Sequence, residues 1–421
     1  MTIPPKIVVV AIAVATSLLG DSTLYAVLPS HAEQLGINLA FVGIILSVNR
    51  FVRLFTNSLA GYVHDHTGRW WHFVVALALG ALTTGIYGLF SRLIWIFLLA
   101  RLVWGTCWSF LRLEGYATVI QQAAEQDRGK LMGLYNSIVG VGFFAGSLFG
   151  GILTDKIGYR NCLLSFAALT FLGAIATFFE LSRNHSPKAV GKKTKRECGT
   201  VGERENGKPT PYWPTGPPAR FRSLWLRHWQ IYYTGFANVL VSNSVVSSTL
   251  GLLIKTRLGS VIQIGRASIK VASLTGILLA VRWSISFFFA PIFGGLADRF
   301  GRKFVLLPGL LLGIIALSIL VTQQRLLWIG TAALIASISR TTVSASLDAS
   351  IADVASVGRR GKAIGIYTTS TDLGSAIGPL VSYFVSALIG AQLGLERVYL
   401  AGVMLLISAI LASLGLKNPQ H

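Results

Sequence analysis

Twelve apolar stretches follow one another along the chain, each near the ~20 residues a helix needs to cross a hydrocarbon layer. They fall at about 7–28, 40–63, 71–90, 93–121, 131–153 and 161–181, then at about 229–254, 271–293, 304–321, 326–352, 363–389 and 398–416. None alternates apolar and polar positions, as the strands of a membrane barrel must. A chain inside lipid has to satisfy its backbone internally, so the pattern predicts an all-α integral membrane fold of twelve transmembrane helices. The first stretch has only Lys6 ahead of it and runs past Gly20 to about Leu28. It reads as a retained helix rather than a cleaved leader.

One long polar interval breaks the series. Residues 182–228 include KKTKRECGTVGERENGKPTPYWPTGPP, rich in Pro, Gly and charge. Such a composition cannot bury enough apolar surface to pack, so the interval is expected to be a solvated linker. It divides the chain into a six-helix bundle at 1–181, a central loop at 182–228 and a second six-helix bundle at 229–421. The basic part of the loop has a second reading, contact with anionic lipid on the cytoplasmic face.

Charge fixes the expected orientation. The formal net charge is +21, yet only 13% of residues are charged, against roughly 25% in soluble domains. With the N-terminus inside, cytoplasmic segments hold 22 Lys and Arg, outer loops hold 9 and the spans hold 6. That bias predicts both termini in the cytoplasm and explains the basicity without nucleic acid. Compact loops point to a bacterial inner membrane. Cys107, Cys162 and Cys198 are odd in number and far apart, so no disulfide framework is indicated. No metal site is expected either, since His64 and His66 make only a lone loop pair.

The two halves repeat at an offset of about 232 residues. Gly61, Asp65, Gly68 and Arg69 follow the second stretch; Gly294, Asp298, Arg299, Gly301, Arg302 and Lys303 follow the eighth. Arg128-Gly129-Lys130 matches Arg360-Gly361-Lys362. Gly142 and Gly146, with Gly150 one turn on, match Gly374 and Gly378, which Pro379 follows. Repeated six-helix units are what alternating-access carriers are built from. These motifs resemble those of the major facilitator superfamily of secondary transporters. The Gly-x-x-x-Asp-Arg-x-Gly-Arg-Lys run is similar to its motif A, in both usual places. Arg101-x-x-Trp104-Gly105 is similar to motif B, and the helix 5 glycines to motif C. The resemblance implies two pseudo-symmetric six-helix bundles, gating by motif A and close packing by the helix 5 and 11 glycines. Two departures stand out. His66 and Trp70 replace basic residues, which predicts a weaker or pH-sensitive latch. Ser147 replaces the proline of the antiporter signature, which counts against a drug-exporter label.

Ionisable groups within spans are costly and default to functional roles. Arg50, Arg53, Arg101, Arg112, Arg282 and Arg340 stand against Asp21, Glu114, Asp348 and Asp372, a surplus of positive charge. Arg50 and Arg282 hold nearly equivalent places in helices 2 and 8 and would converge on a central cavity. There they would suit a carboxylate or phosphate; alternatively each pairs with an internal carboxylate. Arg112, Asn238 and Asn243 are further substrate-binding candidates. Asp21 lies in Gly20-Asp21-Ser22-Thr23-Leu24-Tyr25, which resembles helix 1 of the drug:proton antiporter subfamily. A carboxylate in an apolar wall can load and release a proton, so Asp21, Glu114, Asp348 and Asp372 are proton-coupling candidates, with Arg101 as a supporting cation or a plain helix anchor. Trp104, Trp108 and Trp283 are read as substrate stackers or as packing.

No P-loop, nucleophile elbow or zinc spacing is present in the sequence, so no enzyme and no cofactor is expected. The expected function is secondary active transport of a small solute by alternating access, coupled to protons, by a monomer in a lipid bilayer. An organic or inorganic anion is the first substrate reading and multidrug-type proton antiport the second. A membrane sensor or assembly partner without flux is the alternative from another class.

Overall fold

The computed structural model describes residues 4–67, 70–123, 127–183, 218–354 and 360–415. Within them, twelve helices are long and apolar enough to cross a bilayer. The first half comprises α1 (Pro5–His31), α2 (Leu39–Thr67), α3 (Trp71–Leu89), α4 (Ile94–Gln122), α5 (Arg128–Ile157) and α6 (Tyr159–Arg183). The second half opens with α7a (Pro218–Asn238), a π-helical segment (Val239–Val245) and α7b (Val246–Leu258). It continues with α8 (Val271–Phe300), α9 (Arg302–Thr322), α10 (Leu326–Val354), α11 (Arg360–Ile389) and α12 (Ala391–Leu414).

Three details depart from the apolar pattern. α7a begins within the polar interval and breaks at His228, whose φ/ψ are not helical. A two-stranded hairpin joins α7b to α8: β1 (Val261–Ile264) pairs antiparallel with β2 (Ala267–Lys270), with Ile262 opposite Ile269. It turns at Gly265, whose φ of 62° suits a residue without Cβ. α12 starts at Ala391 rather than near 398, because Gly390 caps it at φ 90°. Glu396 and Arg397 therefore sit in its first turns, where a helix end meets the polar boundary.

The pseudo-symmetry is visible in the packing. In the first half, α5 lies on α1: a Cβ on Gly146 would stand 2.7 Å from the Leu19 carbonyl, and one on Gly142 would collide with the Ala15 carbonyl. Gly150 abuts Thr23 in the same groove. In the second half α11 lies on α7: a Cβ on Gly374 would be 2.6 Å from the Phe236 carbonyl and one on Gly378 2.7 Å from Ser244 Cβ. Small residues four apart let such backbones touch. Pro379 continues this surface, and its carbonyl would lie 2.8 Å from a Cβ on Gly43 of α2.

The halves meet at one end. Gly151 and Gly276 bring α5 and α8 into contact. Asp155 Oδ2, at the end of α5, accepts from Ser273 N–H (2.8 Å) and Ser273 Oγ (2.6 Å) at the start of α8. Lys255 pairs with Glu33 at 2.7 Å. All of these belong to the end carrying the 1–2, 5–6 and 7–8 connections. At the opposite end, Gly294 and Gly295 have nothing within 4 Å of an added Cβ, and Tyr62, Phe288 and Ile292 are exposed. The described contacts that join the halves thus gather at the first end and at mid-span, and the end holding the motif A segments is taken as the splayed one.

Candidate functional site

The charged side chains within the spans sort into four groups. The first lies in the heart of the N-terminal half. Arg101 of α4, fully buried, pairs with Asp21 of α1. Its Nε donates to the Ile45 carbonyl at 2.8 Å, and Asn49 Nδ2 reaches Asp21 Oδ1 at 3.4 Å. A buried charge needs both a partner and hydrogen bonds, and α1, α2 and α4 supply them together. Trp104, one turn along α4, packs under Gly80, where a Cβ would come within 2.9 Å of the indole.

The second group ties the halves at mid-span. Arg53 Nη2 of α2 lies 2.7 Å from Asp372 Oδ1 of α11, with both side chains about one-tenth exposed. The other Asp372 oxygen has Asn57 Nδ2 at 3.4 Å and Arg112 Nη2 at 3.9 Å. Three N-terminal side chains therefore surround one C-terminal carboxylate.

The third group sits on the wall of the C-terminal half. Arg282 of α8 gives Nη1 to the Ala333 carbonyl (3.1 Å) and Nη2 to the Ser242 carbonyl (2.8 Å). Ser242 is inside the π-helical segment. Arg340 of α10 gives Nη1 to Ser286 Oγ (2.9 Å) and lies 5.3 Å above the Trp283 ring. That ring stacks on Phe143 of α5 at 4.4 Å. Asn243, Ser247, Arg282, Trp283, Ser286, Ser337 and Arg340 line one small cleft here. Asn238 turns away from it, toward the Arg340 carbonyl (3.4 Å) and Ser344 (3.3 Å). Among the described residues, neither Arg282 nor Arg340 has a carboxylate within 4 Å. Arg50 of α2 likewise has none; its Nε donates to Tyr25 Oη at 3.0 Å.

The fourth group is at the splayed end. Asp298 pairs with Arg302 one turn on, Lys303 reaches the Leu414 carbonyl, and Arg299 lies 5.4 Å over Phe300. Gly301 adopts φ 95° at the cap of α9. In the other copy His64 Nδ1 lies 2.8 Å from Glu114 Oε1. Gly61 is buried on α2. Gly68, Arg69 and the Asp65 side chain lie outside the described residues. Asp348 is exposed on α10 near Tyr367.

Arg50 and Arg282, expected from the repeat to converge, are each held by partners of their own half: Tyr25 Oη for Arg50, and the Ala333 and Ser242 carbonyls for Arg282. Arg340, which the sequence offered only as one of six intramembrane arginines, stands beside Arg282 in the cleft. A different depression of about 450 Å³, lined by Gln34, Arg92, Tyr159 and Arg160 among others, opens at the closed end and includes none of the intramembrane charges.

The model of the Major Facilitator Superfamily matches residues 10–279 and 239–421. An uncharacterised MFS-type transporter of Methanocaldococcus jannaschii is 23% identical over 387 residues, 91% of this chain and 92% of its own. The multidrug resistance protein MdtG of Proteus mirabilis is 24% identical over 410 residues, 96% of this chain and 93% of its own. A bacterial homologue of the human lysosomal transporter Spinster, solved inward-facing and unoccupied, superposes with a TM-score of 0.75 at 14% identity, covering 98% of each chain. A variant of the nucleoside transporter NupG gives 0.74 at 14% identity, over 98% of this chain and 99% of that one. The shared fold carries the two pseudo-symmetric six-helix bundles, and with a family model spanning nearly its whole length this chain belongs to the Major Facilitator Superfamily, as a multi-pass membrane transporter.

Proposed function

We propose that this transporter moves a small solute by alternating access, coupled to protons, with its termini and splayed end in the cytoplasm of a bacterial cell and its bilayer the inner membrane. It acts as a monomer and as a carrier rather than an enzyme. The Lys and Arg bias toward the splayed end supports the orientation. The Asp21–Arg101 pair supports the coupling: a carboxylate held by one guanidinium in a low-dielectric wall is a group that can trade that partner for a proton. Glu114, Asp348 and Asp372 are secondary sites for the same role.

The substrate reading rests on one observation. Arg50, Arg282 and Arg340 carry three positive charges in the membrane interior with no carboxylate within 4 Å among the described residues. Uncompensated charge there is expensive, and an anionic solute would offset it. The second reading, multidrug-type proton antiport, is favoured by the name of the MdtG relatives and by the helix 1 segment around Asp21. A sensor or assembly role without flux gains nothing from this geometry.

The test uses proteoliposomes with an imposed pH gradient and an entrapped pH dye. Anionic metabolites and lipophilic cations are supplied separately. The anion reading expects gradient-dependent flux and dye response with anions alone. Flux only with lipophilic cations moves antiport to first place, and flux with neither class sinks both transport readings.

A further inference from the structure

We infer that the C-terminal wall holds a bidentate subsite for one carboxylate group, built on the free edge of the Arg340 guanidinium; the substrate class is then a small organic monocarboxylate. This rests on the anion reading above and names the residue that carries it.

A guanidinium offers two-nitrogen edges that match the two oxygens of a carboxylate. Arg340 spends Nη1 on Ser286. Its Nε is buried without any acceptor, and among the described residues no hydrogen bond takes Nη2. Nε and Nη2 share the edge opposite the one Ser286 engages. A buried N–H without an acceptor is rare in native proteins and costs the full desolvation of that group. The rest of the side chain is fixed, by Ser286 at one nitrogen and by the Trp283 face beneath it. An immobilised fork with an unfilled edge is a preorganised binding group.

The surroundings select the ligand. Arg282, whose Nη1 and Nη2 are already donated to carbonyls, adds positive charge to the same cleft. Asn243 and Ser247 line it with further polar groups. The cleft encloses only about 10 Å³ in this state, about the space of one water, so the carboxylate enters as the facing side chains part and the remainder of the solute stays outside. Beside it runs the Phe143–Trp283 stack, an apolar surface shared by both halves. A head that is planar and anionic, on a small apolar body, fits these three features together.

The probes are benzoate, octanoate and lactate, each beside its own amide, added to detergent-purified full-length protein and read by thermal shift and by tryptophan fluorescence. At least one carboxylate is expected to stabilise the wild type where its amide does not. Arg340→Gln should abolish that shift. Arg340→Lys, which keeps the charge and removes the fork, should weaken binding at least about tenfold. Ser286→Ala, a milder change that leaves Arg340 in place, should weaken it less and shows that loss is not misfolding. Binding that survives Arg340→Gln but is lost in Arg50→Gln overturns the subsite while the anion reading stands. Lipophilic cations stabilising the wild type where no carboxylate does overturns both.

Discussion

Asp155 at the end of α5 caps the first turn of α8 in the opposite half, accepting from both the backbone N–H and the hydroxyl of Ser273. A carboxylate at a helix N-terminus satisfies an orphan donor and meets the positive end of the dipole. The ordinary cap comes from the same helix; here it comes from the other bundle, so the bond exists only while this end is closed. Replacing Asp155 by Ala removes about 1–2 kcal/mol from the closed state. The open population at this end should then rise roughly 5–30-fold. Spin labels at Glu33 and Lys255, which flank the same closure, measure it: the expected result is a second, longer distance in Asp155→Ala. An unchanged distance distribution means that apolar packing alone holds the end shut.

Arg101 and Asp21 make a different prediction. Asp21→Asn keeps the shape but leaves the fully buried Arg101 without its counter-charge, and Arg101→Ala strands Asp21 in turn. Breaking a buried pair by removing one partner costs about 3–5 kcal/mol, so both variants should melt well below the wild type. Where Asp21→Asn still folds, it should uncouple flux from the proton gradient while downhill exchange of solute continues. Proton-driven flux at wild-type rate in Asp21→Asn moves the coupling role to another carboxylate, with Asp372 next in line.

The helix 5 and 11 glycines predict a graded series. Gly146→Val and Gly374→Val push methyl groups into the Leu19 and Phe236 carbonyls and should abolish folded protein in detergent, as monitored by monodisperse elution. Gly294→Ala meets open space in this state and gains helix propensity of about 0.8–1 kcal/mol, so it should elute and melt like the wild type or slightly above it. A loss of transport in Gly294→Ala without a loss of stability would show that the splayed end must close tightly in the other state.

Much of this architecture is legible in the sequence because lipid imposes a length and a polarity on every span. The twelve apolar runs and the offset between the halves need no coordinates. The glycines four apart at 142, 146 and 150 likewise carry their own packing message. Three features escape that logic. The π segment at Val239–Val245 leaves no mark in an apolar run, yet it carries the Ser242 carbonyl that accepts from Arg282. The hairpin at 261–270 has alternation in Val-Ile-Gln-Ile, but only four residues a side, too few to separate from loop. The identity of ion partners depends on which helix faces which. Asp21 could be matched with several arginines by sequence, and His64 with none in particular; the crossing of α1, α2 and α4 decides for Arg101, and the end of α2 brings His64 to Glu114.

Arg53 and Asp372 tie the two halves together at mid-span. Asp372 faces Arg53, Arg112 and Asn57, so one carboxylate neutralises part of two cations. Asp372→Asn leaves both uncompensated and should destabilise the protein by about 3–5 kcal/mol. Exchanging the charges, Arg53→Asp with Asp372→Arg, restores the nearer pair but sets the carboxylate on α2 and the guanidinium on α11, in places shaped for the reverse. Arg112 then faces a cation where it faced an anion. Rescue should therefore be partial, with a coupling of about 0.5–3 kcal/mol in the double-mutant cycle. Adding Arg112→Gln to the exchanged pair should recover more of the melting temperature, because it removes the new like-charge contact. If instead the exchanged pair alone recovers the wild-type value, Arg112 takes no part in the tie and the 3.9 Å approach is incidental. If neither exchange nor triple variant recovers any stability, the positions matter for shape rather than charge, and Asp372 leaves the group of candidate proton sites.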